Sequence, residues 1–125
     1  MTRIAGARRR AFLFGMGAES RAAWWLRLKG YRILARRYRG GGGEIDLIAR
    51  RFATIAFIEV KGRAALDDAS LSVTPWKMRR VARAARAWLA ANPPPAACVL
   101  RLDAVTVAPG HVPRHTANVA PLEDG

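Results

Sequence analysis

The stretch GEIDLIARRFATIAFIEVKG, residues 43–62, decides how this chain folds. Two runs rich in apolar and β-branched residues, Glu44 to Arg50 and Ile55 to Lys61, flank Arg51-Phe52-Ala53-Thr54. A connection that short makes them an antiparallel hairpin. With those four residues as the loop, Arg50 stands opposite Ile55, Asp46 opposite Glu59 and Glu44 opposite Lys61. Strand side chains alternate, so Glu44, Asp46, Glu59 and Lys61 are expected on one side. The other side, with Ile45, Leu47, Ala49, Ala56, Ile58 and Val60, is wholly apolar. One face is then core, and the other gathers three carboxylates and an amine.

Facing carboxylates at Asp46 and Glu59 repel, and a divalent cation removes the conflict. Hard oxygen ligands suit Mg2+ or Mn2+, completed by water and phosphate oxygens. Such an ion polarises a scissile phosphate and lowers the pKa of a bound water. Lys61 either orients or deprotonates that water, or stabilises charge on the phosphorane-like transition state. Lysine occurs only as Lys29, Lys61 and Lys77 in a chain that otherwise uses Arg, and only Lys sheds its proton usefully. Taken alone, Asp-x12-Glu-x-Lys also describes cross-strand ion pairs on a solvated face. The apolar opposite face and the basic chain favour a site.

At 125 residues the chain has room for one compact domain, and 51% hydrophobic content supplies a core. Twenty-two Lys and Arg face nine Asp and Glu, giving +13 and a pI near 11.7. That charge calls for an anionic partner. Nineteen of the basic residues are Arg; a GC-rich genome explains Arg over Lys but not the shortage of acids. Residues 1–39 hold eleven basic residues and a single acid. Arg8, Arg9, Arg10, Arg36, Arg37 and Arg39 are phosphate-contact candidates, with DNA favoured over RNA. There is no base-reading motif, so recognition of shape or backbone is expected.

Cys98 is the only cysteine. It excludes an internal disulfide and a Cys-rich zinc site, and suits a reducing cytoplasm. No apolar stretch is long enough to span a bilayer, and no long helix pairs a basic face with an exposed apolar one. Arg9-Arg10-Ala11-Phe12-Leu13-Phe14 resembles a twin-arginine signal. The apolar run that follows is short and lacks a clear cleavage site, so a cytoplasmic protein with a basic arm is expected.

Further out, residues 1–14 form the arm, 15–108 the domain and 109–125 a tail expected to be irregular, with three of the seven prolines. A helix runs from about Gly17 to Lys29 and stops at Gly30. Tyr31 to Tyr38 reads as a strand, and Gly40 to Gly43 as a loop where backbone can approach a ligand. After a polar link, Thr74 caps a helix that starts at Pro75 and ends near Ala91. Met78, Val81, Ala82, Ala85, Trp88 and Leu89 face inward. Cys98 to Val107 is a last strand. The order helix, three strands, helix, strand is a small α/β sandwich. Trp24 and Trp76 are the expected exposed tryptophans, Asp103 reads as structural, and Pro113 spoils a helical metal pair of His111 and His115.

GAESRAAWWLRLKGYRILARRYR (residues 17–39), GGEIDLIAR (42–50) and AFIEVKGR (56–63) closely resemble the YraN family of small bacterial proteins. That family is placed in the PD-(D/E)xK, or restriction-endonuclease-like, superfamily. The likeness runs from about Gly15 to Val107 and implies a small mixed sheet flanked by helices. It implies a metal site in which Asp46 and Glu59 are the carboxylates, Lys61 the lysine and the Val60 carbonyl a further ligand. In the similar archaeal Holliday-junction resolvases a Glu on the first helix joins the site, and Glu19 matches it. Glu19 is also the only acid before Glu44, on a helix stripe that borders the core; the plainer role is a helix-dipole partner. Thr74, Lys77 and Arg80 resemble the family's Thr-x-x-Lys-x-x-Arg helix start, which would contact phosphate. Glu44 is a supporting candidate.

Leu66-Asp67 stands where the family usually has Phe-Gly, Met78 where Gln is frequent, and Arg101-Leu102-Asp103-Ala104 in place of Arg-Phe-Asp-Val. No presumed metal ligand is lost. The resemblance implies a Mg2+-dependent endonuclease of branched or single-stranded DNA, and cutting two strands would favour a homodimer. The other reading is a non-catalytic nucleic-acid-binding accessory protein in DNA processing or recombination.

Overall fold

The computed structural model describes residues 17–62 and 74–122. The arm with Arg8, Arg9 and Arg10, and the pair Leu66-Asp67, lie outside them. Helix α1 (Gly17–Leu28) leads into strands β1 (Arg32–Gly40), β2 (Gly43–Arg51) and β3 (Thr54–Gly62). Helix α2 (Pro75–Ala91), β4 (Val99–Val107) and β5 (Arg114–Ala120) follow. The sheet runs β1-β2-β3-β4-β5 in chain order. Every neighbouring pair is antiparallel except β3 and β4, which are parallel. The α2 crossover is what permits that parallel pairing. The result is the expected α/β arrangement, with one strand more than the sequence suggested.

A sheet of this kind is covered on both faces. Ala22, Ala23 and Leu26 of α1 pack on Leu47, Ala49, Ala56, Ile58, Val105 and Val107. Met78, Val81, Ala82 and Ala85 of α2 pack on Ile45, Ile48, Ile55, Phe57 and Leu102. The hairpin therefore does not divide into one apolar face and one open face. The run Ile55-Ala56-Phe57-Ile58 is apolar at consecutive positions because β3 is central and buried on both sides.

Both helices end where their residues dictate. Tyr31 N–H donates to the Leu26 carbonyl at 2.9 Å and Gly30 N–H to that of Arg27 at 3.0 Å. Gly30, at φ 94°, supplies the left-handed residue that this C-terminal turn requires. The Thr74 hydroxyl accepts from Lys77 N–H at 3.2 Å, and Pro75 opens α2. Two glycines of the loop lie close against the backbone of α2. A methyl on Gly43 would overlap the Arg80 carbonyl, and one on Gly41 would come within 2.8 Å of the Arg83 carbonyl.

The tail is not irregular throughout, because β5 pairs with β4 through Leu102↔Ala120 and Ala104↔Thr116. Pro109, Pro113 and Pro121 bracket that strand instead of interrupting it. A polar bridge joins the two strands. Fully buried Asp103 accepts from Arg101 at 2.7 Å, from His115 Nε2 at 2.7 Å and from Asn118 N–H at 3.0 Å. Burial alone would raise the Asp103 pKa, but these hydrogen bonds outweigh it and hold the group below the ordinary 3.8. Asp103 is structural, as its sequence context suggested.

Two outcomes are expected. Gly43→Ala should cost about 1–3 kcal/mol through overpacking against α2, read as a lower thermal midpoint. Asp103→Ala should cost about 3–5 kcal/mol at neutral pH by leaving Arg101 without its buried partner. Because the folded-state pKa is depressed, that stabilisation is present above pH 3.8 and lost as pH falls through the lower folded value. Chemical denaturation of variant and wild type across pH 2.5–7 should show the gap closing toward acid.

Candidate active site

The β2–β3 ladder has the expected register, from Arg51↔Thr54 to Leu47↔Ile58. One residue further on, the pattern changes. Val60 N–H donates to the Asp46 carboxylate at 2.7 Å instead of to a strand carbonyl. Side-chain alternation breaks at the same place. Ile45 and Ile48, three apart, both pack against α2, while Leu47 and Ala49 pack against α1. The expectation that Ile45 shares a face with Leu47 is therefore corrected. On β1, Arg37 takes a left-handed φ of 52° beside this break, a conformation rare outside glycine. A strand residue's N–H and C=O point the same way, so the Val60 carbonyl faces the gap that Asp46 fills.

Burial pushes the Asp46 pKa up from 3.8 to about 6; the Val60 N–H opposes this, while Glu59 and Glu19 add to it. Glu59 pairs with the Lys61 ammonium at 2.9 Å, and both side chains are largely buried. Burial works against the Lys61 charge, yet the Glu59 and Asp46 carboxylates beside it outweigh that and hold the pKa above its usual 10.5. Of the two roles open to Lys61, a fixed cation fits this setting better than a proton acceptor.

Glu19 reaches the same place from α1. Arg37 Nε lies 3.2 Å from each of its carboxylate oxygens and Arg36 Nε 3.7 Å from one. Arg36 also donates to Ser20 at 2.7 Å. Glu19, Arg37, Arg39, Glu44 and Asp46 border a cavity of about 280 Å³. Glu44, Glu59, Lys61, Trp76, Lys77 and Arg80 border a second, of about 190 Å³, on the α2 side. Glu44 lines both and is 3.5 Å from Arg39. Larger clefts of about 460 and 670 Å³ lie along β5, but no carboxylate among the described residues borders either.

The structure thus brings together Asp46, Glu59, Lys61, Glu19, Glu44, Lys77 and Arg80, with Arg36, Arg37 and Arg39 at one end. Thr74 serves as the cap of α2. Trp76 forms part of the cavity wall, which helical spacing alone does not reveal. Arg37 is more than a phosphate-contact candidate, since it holds Glu19; the isolation of Glu19 among arginines was the signal.

Among the described residues, no three His, Cys, Asp or Glu side chains already gather as a metal cluster. Asp46 and Glu59 with the Val60 carbonyl offer hard oxygens, and a cation there would offset the burial and carboxylate repulsion that raise the Asp46 pKa. The donor set fits a Mg2+-type ion whose remaining positions are water or phosphate oxygen.

A mixed five-stranded sheet between two helices, with carboxylates and a lysine where its central hairpin parts, is a small restriction-endonuclease-like α/β domain. The chain belongs to the family described as Uncharacterised protein family UPF0102, whose model matches residues 18–107. It is 57% identical over 105 residues to the UPF0102 protein bll0669 of Bradyrhizobium diazoefficiens, covering 84% of this chain and 79% of the relative. A UPF0102 protein of Methylocella silvestris is 54% identical over 123 residues, covering 98% and 99%. One of Methylorubrum extorquens is 56% identical over 119 residues, covering 94% and 93%.

In metal-free buffer, Asp46→Asn should raise the thermal midpoint. Because the folded carboxyl holds its proton to about pH 6 and the unfolded one only to 3.8, wild type loses stability as pH rises between those values. The Asn variant does not. Differential scanning fluorimetry should show its advantage full above pH 6 and absent near pH 4.

Proposed function

We propose that this protein is a Mg2+-dependent endonuclease that hydrolyses phosphodiester bonds in DNA. The observation that carries the reading is the Asp46 carboxylate, half-buried at the parting of β2 and β3 beside Glu59 and bonded to Val60 N–H at 2.7 Å. A carboxylate partly withdrawn from water beside other carboxylates costs stability, and cation binding gives that arrangement a use. Asp46, Glu59 and the Val60 carbonyl would hold the ion; when bound, it polarises the phosphate and acidifies a water. Lys61 places a positive charge beside Glu59, where the phosphate gains charge. Lys77 and Arg80 on one side and Arg37 and Arg39 on the other, with Arg36 beside Glu19, offer cations to the DNA backbone. Cutting both strands of a branched duplex would call for two copies.

A second reading, an accessory DNA-binding subunit without catalysis, draws on one observation: Glu19, Glu44 and Glu59 each already pair with a cation. A cleavage assay separates the two. With labelled single-stranded, duplex, flap and four-way-junction DNA offered in turn, the preferred structure should be cut with Mg2+ or Mn2+ and left intact in EDTA. Asp46→Ala and Glu59→Ala should abolish cutting while DNA binding persists. Lys61→Met should lower kcat about 10²–10³-fold. Full activity of either carboxylate variant would remove the site assignment; tight binding without cutting in any metal would leave the accessory reading.

A further inference from the structure

Trp76 is 55% exposed on the first turn of α2, on the side away from Met78, Val81, Ala82 and Ala85. A large indole left in water is unremarkable by itself. Its neighbours make it informative. The Arg80 guanidinium lies over the ring, 5.1 Å from its centre, as the spacing of four along a helix allows. Both residues border the cavity that also holds Glu59, Lys61 and Lys77. A flat π surface and two further cations, Lys77 and Arg80, thus meet beside the Glu59–Lys61 pair. The backbone that carries the ring is fixed by the Thr74 cap and Pro75. Trp24 is equally exposed, at 59% on α1, but borders neither site cavity.

A nucleotide presents two surfaces to a protein, an anionic phosphate and the apolar face of its base. Lys61, Lys77 and Arg80 suit the first and Trp76 the second. Within a duplex, base faces are covered by their neighbours, so an aromatic side chain reaches one only where the strand is unpaired or a base is turned out. We propose that Trp76 is a stacking platform for an unpaired nucleobase next to the phosphate at Lys61, and that it selects DNA with a single-stranded segment at the cut. This rests on the nuclease reading for the position of the cut, but the stacking itself is measurable without cleavage.

The test is binding in EDTA, where no metal-dependent cutting occurs, of a labelled oligo-dT strand and of a duplex of equal length. Trp76→Ala should weaken oligo-dT binding roughly tenfold and leave the duplex unchanged. Trp76→Phe, which keeps a ring, should recover most of the loss, and Trp24→Ala should alter neither. Oligo-dT should quench wild-type tryptophan emission more than that of Trp76→Phe, which reports on the position even if the Ala variant folds poorly. Equal weakening on both ligands, no weakening, or quenching unchanged in Trp76→Phe would overturn the proposal. A selective loss in a protein that cleaves nothing would keep the platform and discard the nuclease.

Discussion

Where β2 leaves β3, a backbone donor needs a partner, and the Asp46 carboxylate supplies it. That hydrogen bond, from Val60 N–H at 2.7 Å, ends the ladder without leaving a buried polar group unsatisfied. It also fixes the site. Strand alternation resets at Asp46, so Ile45 joins Ile48 in the core under α2 while Leu47 remains in the core under α1. The carboxylate is thereby half-buried beside Glu59 and Glu19, which is why its pKa is pushed up to about 6. Fold and candidate chemistry meet in one side chain.

Charge follows the same economy. Five acids occur among the described residues. Glu19, Glu44, Asp46 and Glu59 border the two small cavities, and Asp103 ties β5 to β4. None is scattered over the surface as a generic counter-charge. In so basic a chain, Glu19, Glu44 and Glu59 would attract cations in any setting, and here these come from β1 and β3. The close backbone approach of Gly43 to Arg80 then joins the strand bearing Asp46 to the helix bearing Trp76, Lys77 and Arg80. The two walls of the α2-side cavity are braced against each other.

Much of this was legible in the residues. The hairpin register, the Thr74 cap, the Gly30 stop and the exposure of Trp24 and Trp76 are local matters, set by turn length, capping chemistry and helical spacing. The break at Asp46 was not legible, because period-two alternation holds on both sides of it and only the third dimension shows the reset. The strand β5 was hidden for another reason. Its sequence, Arg114-His115-Thr116-Ala117-Asn118-Val119-Ala120, is mostly polar or small, and it is held through His115 and Asn118 rather than by an apolar stripe. Proline count suggested irregularity, whereas proline position marks the strand's ends.

The Asp103 bridge has a bearing on what counts as the folding unit. The family model matches residues 18–107, yet His115 and Asn118, which satisfy Asp103, lie beyond that span. A polypeptide trimmed to the recognisable motif would keep both helices, the hairpin and the carboxylates while burying an anion stripped of two of its donors and baring an edge strand to self-association. The structural unit is thus larger than the matched span, and its last strand covers the β4 edge of the sheet that carries the site.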